Sequence, residues 1–459
     1  MNKNESGAGY WWTSCQYNAS NAVNLNNGGF NNNNKTNSNN VFCAYEIDKT
    51  TEWVTLKEVY AAYRDCRRRK MSSQSYSDFV IDEANNIYTL YQELNNGTYE
   101  IGKSITFCVT RPKVREVFAA NFRDRIVHHL LMMKVGHLFE EHFIDESYNC
   151  RVGKGNMYGA FRLYDTMQKY PTYWNVKMDM QGFFYSINKQ KLYDMLEKFL
   201  RERYKEKDIE QVLWVTKKIV MHEPQFLCEK RGDKELWDKL PKERSLFTCK
   251  SGYGLAIGNL TSQIFANFYL SYFDLEMEKR YGDRYKRYVD DIIVTLPHED
   301  IPEMIEFVRR YLRDELEVTL HQRKIYIQQV SKGVKFIGFA TKRDRIYTNS
   351  TTVDNATQAI RLYNDIEQKE HDVDIWVDKF AARINSYLGF MLRTKSYAIR
   401  WNLWNEIDEE IKKRIYMRNM CCIVVRKKYK QLTKIKEEYV KECNANRRME
   451  QSGTCLQAR

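Results

Sequence analysis

Residues 285–296 read Tyr285-Lys286-Arg287-Tyr288-Val289-Asp290-Asp291-Ile292-Ile293-Val294-Thr295-Leu296. Aromatic and β-branched residues flank two adjacent carboxylates, and such runs favour strands while an acidic pair between them favours a turn. The stretch therefore predicts a tight hairpin with Asp290 and Asp291 at the turn. Working outward, Trp174-Asn175-Val176-Lys177-Met178-Asp179-Met180 alternates with period two. Trp174, Val176, Met178 and Met180 fall on one side, so Asp179 faces away from the apolar side of a second strand. Between the two strands lies Gly258-Asn259-Leu260-Thr261-Ser262, followed by a helical run through Tyr281 that Thr261 or Ser262 could cap.

One aspartate on a strand and two on a hairpin form the oxygen donor set that hard divalent cations require. Nucleotidyl transfer needs two such ions, roughly 3.5–4 Å apart. Magnesium takes few protein ligands and completes its shell with phosphate oxygens, so Asp179, Asp290 and Asp291 suffice. Tyr288-Val289-Asp290-Asp291 alone is a short and weak motif. Its order along the chain strengthens it: the strand aspartate leads into Phe183-Phe184-Tyr185-Ser186, then come the glycine loop and helix, the hairpin, Lys324, and Gly333-Val334-Lys335-Phe336-Ile337-Gly338-Phe339.

The rest of the chain bounds the reading. At 459 residues it is too long for one ordinary core, so two or three lobes are expected. The net charge of +13 favours a polyanionic partner. No apolar run reaches the ~20 residues of a membrane span, and the start is unlike a secretory signal, so a cytoplasmic enzyme is expected. None of the eleven cysteines forms a Cys-x-x-Cys pair, and they read as reduced thiols. Twelve asparagines among residues 18–40 support neither helix nor core. Amphipathic helices are expected over Trp53–Arg64, Tyr76–Leu94 and Ala119–Phe139. His128 and His129 are adjacent on the last of these, so they face apart and are read as structural. Residues 411–436 carry ten Lys or Arg and no acid.

With these motifs in place the chain resembles a reverse transcriptase, and specifically those of diversity-generating retroelements. The resemblance spans about Arg111 to Arg400. It rests on Arg111-Pro112-Lys113-Val114-Arg115-Glu116, Phe122-Arg123-Asp124-Arg125-Ile126-Val127-His128-His129, Ser147-Tyr148-Asn149-Cys150-Arg151-Val152-Gly153-Lys154-Gly155, Met178 to Ile187, Ile257 to Gln263, Tyr288 to Asp291, and Asn385-Ser386-Tyr387-Leu388-Gly389. It implies an α+β right-hand polymerase with fingers, a palm carrying an antiparallel sheet, and a helical thumb. On that basis residues 1–45 are an asparagine-rich leader, 46–170 the N-terminal helices and fingers, 171–345 the palm with a fingers segment at 200–255, and 346–459 the thumb and basic tail.

The resemblance also implies roles. Asp179 and Asp290 would be the principal ligands of two Mg2+ ions, for which Mn2+ can substitute, with Asp291 as third acid and the Met180 carbonyl assisting. Phe184 matches the steric gate against a ribose 2′-hydroxyl. Lys113, Arg123 and Arg151 belong to motifs that meet the triphosphate or the template backbone, with Arg151 favoured for the triphosphate because a guanidinium grips two oxygens at once. Lys324 matches the group that protonates departing pyrophosphate. Ile257-Gly258 stands where most relatives have Gln-Gly near the templating base, and Ser262-Gln263 where they have Ser-Pro, so lowered fidelity is expected. Lys154, Tyr288, Asn385, Arg426, Lys427 and Lys428 would meet nucleic acid, gripped through phosphates and 2′-hydroxyls.

For such an enzyme the implied partners are deoxynucleotides, a template-repeat RNA, its RNA–DNA duplex with the growing cDNA, and a small basic accessory protein that assembles as a pentameric barrel. The implied product is cDNA mutagenised at template adenines that replaces a variable repeat in a target gene. The asparagine-rich leader resembles a translated template repeat. The 59 residues after Arg400 are too few for an RNase H or endonuclease domain. A group II intron, retron or defence polymerase is the alternative within enzymes, and an inactive RNA-binding scaffold the alternative outside them.

Overall fold

The computed structural model describes residues 53–68, 73–110, 114–370 and 376–426, the side chains of 367–370 excepted. The expectations for residues 1–45, Lys113, Lys427 and Lys428 lie outside the described residues. The chain forms two compact units, the first running through Gly155 and adding Lys177–Val294 and Glu299–Ile325. The second takes Asn156–Val176, Thr295–His298 and the chain from Tyr326 onward.

The first unit opens with the helix Leu56–Cys66, started by Thr55 and Glu58, whose side chains each bond the other's backbone amide in a capping box. The single helix expected over Tyr76–Leu94 is two, Gln74–Val80 and Glu83–Asn95. Asn86 donates to the Phe79 carbonyl and Asn85 to the Asp82 carboxylate. Side chains thus take over backbone bonding between them, as Asn and Asp commonly do. The helix expected from Ala119 begins at Phe122 and runs to His142, because Asn121 accepts from the Arg123 amide and caps it. On this helix Phe122, Ile126, Leu130 and Leu138 are buried. Its Phe139 stacks on Phe199 and meets Phe265 and Phe268 edge-on.

Strands β1 (Ser104–Val109) and β2 (Arg115–Ala119) pair antiparallel. Strand β3 (Trp174–Asp179) enters this unit at Lys177. Strand β4 (Cys228–Lys230) adds to β1 in the order β2-β1-β4. Strands β5 (Tyr285–Tyr288) and β6 (Asp291–Leu296) form the expected hairpin beside β3, but its turn is Val289-Asp290 rather than Asp290-Asp291, because Asp291 pairs with Tyr288 as the first residue of β6. The helical run before them is divided at Leu270 into Leu260–Tyr269 and Ser271–Tyr281. Neither Thr261 nor Ser262 caps it. Asn259 precedes the first turn and accepts from the Ala120 amide, while the Thr261 hydroxyl meets His128 Nδ1 at 2.6 Å inside the core.

In the second unit, β7 (Tyr326–Gln329) lies beside the Trp174 end of β3, and the following Val330 amide donates to the Tyr173 carbonyl at 2.9 Å. Strands β8 (Val334–Phe336), β9 (Phe339–Lys342) and β10 (Arg345–Thr348) form an antiparallel sheet under the helix Asn156–Lys169. Phe339 stacks on Phe390 at 4.4 Å. Helices Ser350–Glu370, Val377–Met391, Tyr397–Asn405 and Glu409–Arg414 share a core that includes Ile360, Phe380, Ile384, Leu388, Leu403 and Ile411. Strands β11 (Ile415–Arg418) and β12 (Cys422–Val425) close it as a hairpin. Among the described residues every cysteine is free, and no helix is long and apolar enough to cross a membrane.

Candidate active site

In the β5–β6 register Tyr288 faces Asp291, which leaves Val289 and Asp290 as a two-residue turn. Hairpin turns of this length demand positive φ, and Val289 sits at φ 59°, an uncommon conformation for a β-branched residue. The turn presents Asp290 toward the end of β3. Burial, reinforced by the Asp179 and Asp291 carboxylates, pushes the Asp290 carboxyl up to about 6, against the opposing charge of Lys324. Asp179, far from Asp290 and Asp291 in sequence, is therefore their near neighbour in charge.

Two lysines stand among them. Lys177, on β3, lies 3.1 Å from Asp291. Lys324 contacts the Asp179 carboxylate. It is brought there because the chain at Thr319–His321 pairs with the end of β3: Gln181 N donates to Thr319 O at 2.8 Å and His321 N to Asp179 O at 2.9 Å. Met180 is the bridge residue opposite Leu320, flanked by those two bonds. Among the described residues no three His, Cys, Asp or Glu side chains converge closely enough to enclose an ion unaided. A donor set of two or three carboxylates, open to further oxygen ligands, fits magnesium, which is held by one or two protein carboxylates plus substrate phosphates.

Residues 110–341, just over half of the chain, match the model of the reverse transcriptase (RNA-dependent DNA polymerase) family. The chain belongs to the reverse transcriptase family. Its mixture of helices and antiparallel sheets is the right-hand polymerase fold of that family. No curated protein matches it in sequence. Among solved structures it is similar to telomerase from Candida albicans in complex with a fragment of telomeric RNA, at 11% identity and a TM-score of 0.39, covering 67% of this chain and 60% of that one. It is also similar to apo telomerase from Candida tropicalis, at 11% identity and a TM-score of 0.40, covering 68% and 59%. The chain thus spans about 60% of the length of the telomerase it matches.

Phe184 lies in the one-turn helix Phe183–Ser186 just beyond Asp179 and is only partly buried, unlike Phe183. Its carbonyl accepts from Leu255 N at 2.8 Å, which ties the segment to the loop ahead of Ile257. Ile257 O accepts from Phe118 N at 2.8 Å. Gly258, at φ 130°, lies so close to β2 that a Cβ there would come within 2.7 Å of Phe118 O, so only glycine fits. Arg115 and Arg244 are close enough to Tyr185 for their charges to act on its phenol. Arg115 belongs to the basic motif Arg111 to Glu116 already read in the sequence, whereas no local signal marks Arg244. Tyr288 sits at the hairpin mouth near Cys150.

Several expected contacts have other partners. Arg151 is 6% exposed and donates to Glu140 Oε2 at 3.0 Å and to the Glu140, Phe143, Ile144 and Ser147 carbonyls, so its guanidinium holds a loop together. Arg123 pairs with Glu93, donates to Glu100 O and lies over the Tyr99 ring. Lys154 bonds the carbonyl and carboxylate of Asp145. Asn385 exchanges two hydrogen bonds with the Ile423 backbone, 2.7 and 2.6 Å, fastening β12 to its helix. Arg426 is exposed and extends over the Tyr416 ring. His128 is fully buried and pushed down to about 3 by desolvation, which fits a structural residue. The residue that sequence reading overlooked is Arg287, 0% exposed and paired with Asp274 directly behind the acidic turn.

Proposed function

We propose that this protein is an RNA-directed DNA polymerase whose reaction centre is Asp179, Asp290 and Asp291. The observation that carries the reading is the Asp290 carboxyl, raised by burial and by the Asp179 and Asp291 carboxylates at the tip of a two-residue turn, in a chain of the reverse transcriptase family. Like-charged carboxylates are held together at a cost unless a cation joins them. Asp179 and Asp290 would hold two divalent cations, Asp291 would add negative charge as the third acid, and the Met180 carbonyl would assist. When bound, those ions would activate the primer 3′-oxygen and brace the departing pyrophosphate. Lys324, freed from Asp179 as cations arrive, would give a proton to the leaving pyrophosphate oxygen. The Phe184 ring would exclude a nucleotide bearing a 2′-hydroxyl. Lys113, with Arg115 and Arg244, would meet the triphosphate. Primer extension on an RNA template tests this. Deoxynucleotide incorporation by the wild type and none by Asp290→Asn is expected, and equal extension by both would refute the role of the acids.

The finer reading is error-prone copying of a template-repeat RNA in a diversity-generating retroelement, within the cytoplasm of a bacterial or phage-infected cell. What supports it is the loop Ile257-Gly258-Asn259-Leu260-Thr261-Ser262-Gln263, in which an aliphatic side chain replaces a hydrogen-bonding one, together with the asparagine-rich first forty residues. A small basic accessory protein would be its partner. Sequencing of cDNA made on a defined template is expected to place errors opposite adenines; errors spread evenly over the four bases would remove this reading and leave the polymerase.

A further inference from the structure

The acidic turn is held in an unfavourable conformation, and the structure contains the group that holds it. Val289 at φ 59° is a β-branched residue in the left-handed region, where its own preference opposes the turn. A two-residue loop carrying the central carboxylate cannot relax without moving that carboxylate. Arg287, two residues earlier on β5, donates through Nη1 to the Val289 carbonyl at 2.9 Å.

The other donors of that guanidinium are fixed by the helices behind the hairpin. Nε and Nη2 grip the two Asp274 oxygens at 2.7 and 2.6 Å, the paired geometry in which arginine binds carboxylates best. Nη1 also reaches Asn267 Oδ1 at 3.2 Å, and Nη2 the Asn267 carbonyl at 3.5 Å. Asp274 is held in turn by the Tyr285 hydroxyl at 2.5 Å, and Asn267 by the Asn149 carbonyl at 2.7 Å. Arg287, Asp274 and Asn267 are all nearly inaccessible to solvent. Five N–H groups in a rigid planar fork are all bonded, so the guanidinium cannot shift and neither can the carbonyl it holds.

We propose that Arg287 is a positioning residue for polymerisation: by clamping the Val289 carbonyl to the Asp274–Asn267 frame, it sets where the Asp290 carboxylate meets a divalent cation. The inference rests on the proposed role of Asp290 as a metal ligand. Lysine is a point donor that can reach Asp274 or the carbonyl but not both in this geometry. Glycine at 289 accepts positive φ without assistance. The clamp and the valine should therefore be coupled, which a purely structural ion pair would not require.

The test is Mn2+ binding to the full chain, read by electron paramagnetic resonance, alongside the Mg2+ dependence of primer extension. Arg287→Lys is expected to weaken Mn2+ binding and lower kcat by ~10–100-fold, as loss of a group orienting a metal ligand does, with the deoxynucleotide KM nearly unchanged. Adding Val289→Gly to Arg287→Lys should recover part of the Mn2+ affinity. Arg287→Met with Asp274→Asn removes both charges, strands neither, and should bind Mn2+ as weakly as Arg287→Lys. Folded variants that bind Mn2+ as tightly as wild type would overturn the proposal, as would failure of both to fold, since the pair would then be structural only. If Asp290→Asn leaves Mn2+ binding intact, the fault lies in the reading of the acids instead.

Discussion

Arg287 and Asp290 stand three residues apart on one hairpin, and the fold treats their charges in opposite ways. At the base, the guanidinium is wholly buried with every donor bonded. At the tip, Asp290 is crowded by two further carboxylates, opposed by a backbone hydrogen bond and by the charge of Lys324. A buried charge with complete partners is scaffold, since removing it strands the partner, whereas like charges left incompletely compensated are a place for a cation. The same criterion separates the arginines of the first unit. Arg151 is engaged by one carboxylate and four carbonyls and resembles Arg287; Arg115 is exposed, and its charge acts on the Tyr185 phenol.

The largest effect should come from the tip. Asp290→Asn is expected to lower primer extension by on the order of 10³-fold, since a metal ligand supplies several kcal/mol of transition-state stabilisation. The unfolding free energy of that variant should not fall. A loss of stability larger than the loss of activity would erase the contrast between tip and base. At the base the order reverses: Arg287→Ala should cost ~3–5 kcal/mol in denaturant unfolding, the usual consequence of breaking a buried pair from one side. Arg151→Ala should likewise destabilise, with the deoxynucleotide KM changing by no more than about twofold. A large rise in KM with unchanged stability would return Arg151 to the triphosphate.

Acidity sharpens the comparison at the next level. The Asp290 carboxyl ionises near 3.8 when unperturbed and is raised to about 6 in the fold. Between those values the folded protein keeps a proton that the unfolded chain has released. The penalty from this group is therefore absent below about pH 4, grows as pH rises, and is complete above about pH 6. In metal-free buffer the stability of Asp290→Asn relative to wild type should climb through that window and then level off. A flat difference from pH 4 to 7 would contradict the crowding of the acids. Smallest is Lys177, a half-exposed ammonium 3.1 Å from Asp291. Partly exposed pairs contribute ~0–1 kcal/mol, so Lys177→Ala should tighten Mn2+ binding by up to about fivefold; weaker binding would mean that Lys177 supports the site rather than competing for it.

The parts of the site legible in the sequence are those whose signal is local. Alternation places β3, β5 and β6, and the acidic pair marks the turn to within one residue, so Asp179, Asp290 and Asp291 could be named from order and spacing. Helix boundaries were less legible, because Asn85, Asn86 and Asn121 reshape them through side-chain bonds. Roles of cations were least legible. Arg151 and Asn385 carry motif-like neighbours, yet what they bond is decided by carbonyls that the fold brings to them, and Asn385 meets a strand thirty-eight residues away. Arg287 lay inside the decisive stretch but was invisible as a functional residue, since nothing local announces that Asp274, thirteen residues earlier, faces it across the core.

The central claim is most directly tested by anomalous diffraction from Mn2+ in crystals of the full chain with an RNA template, a DNA primer and a non-hydrolysable deoxynucleotide. The account predicts two peaks roughly 3.5–4 Å apart, both within ligand distance of Asp290 or Asp179, with Lys324 withdrawn from Asp179. A single ion elsewhere, or a complex in which Lys324 still occupies Asp179 while nucleotide is bound, would contradict it.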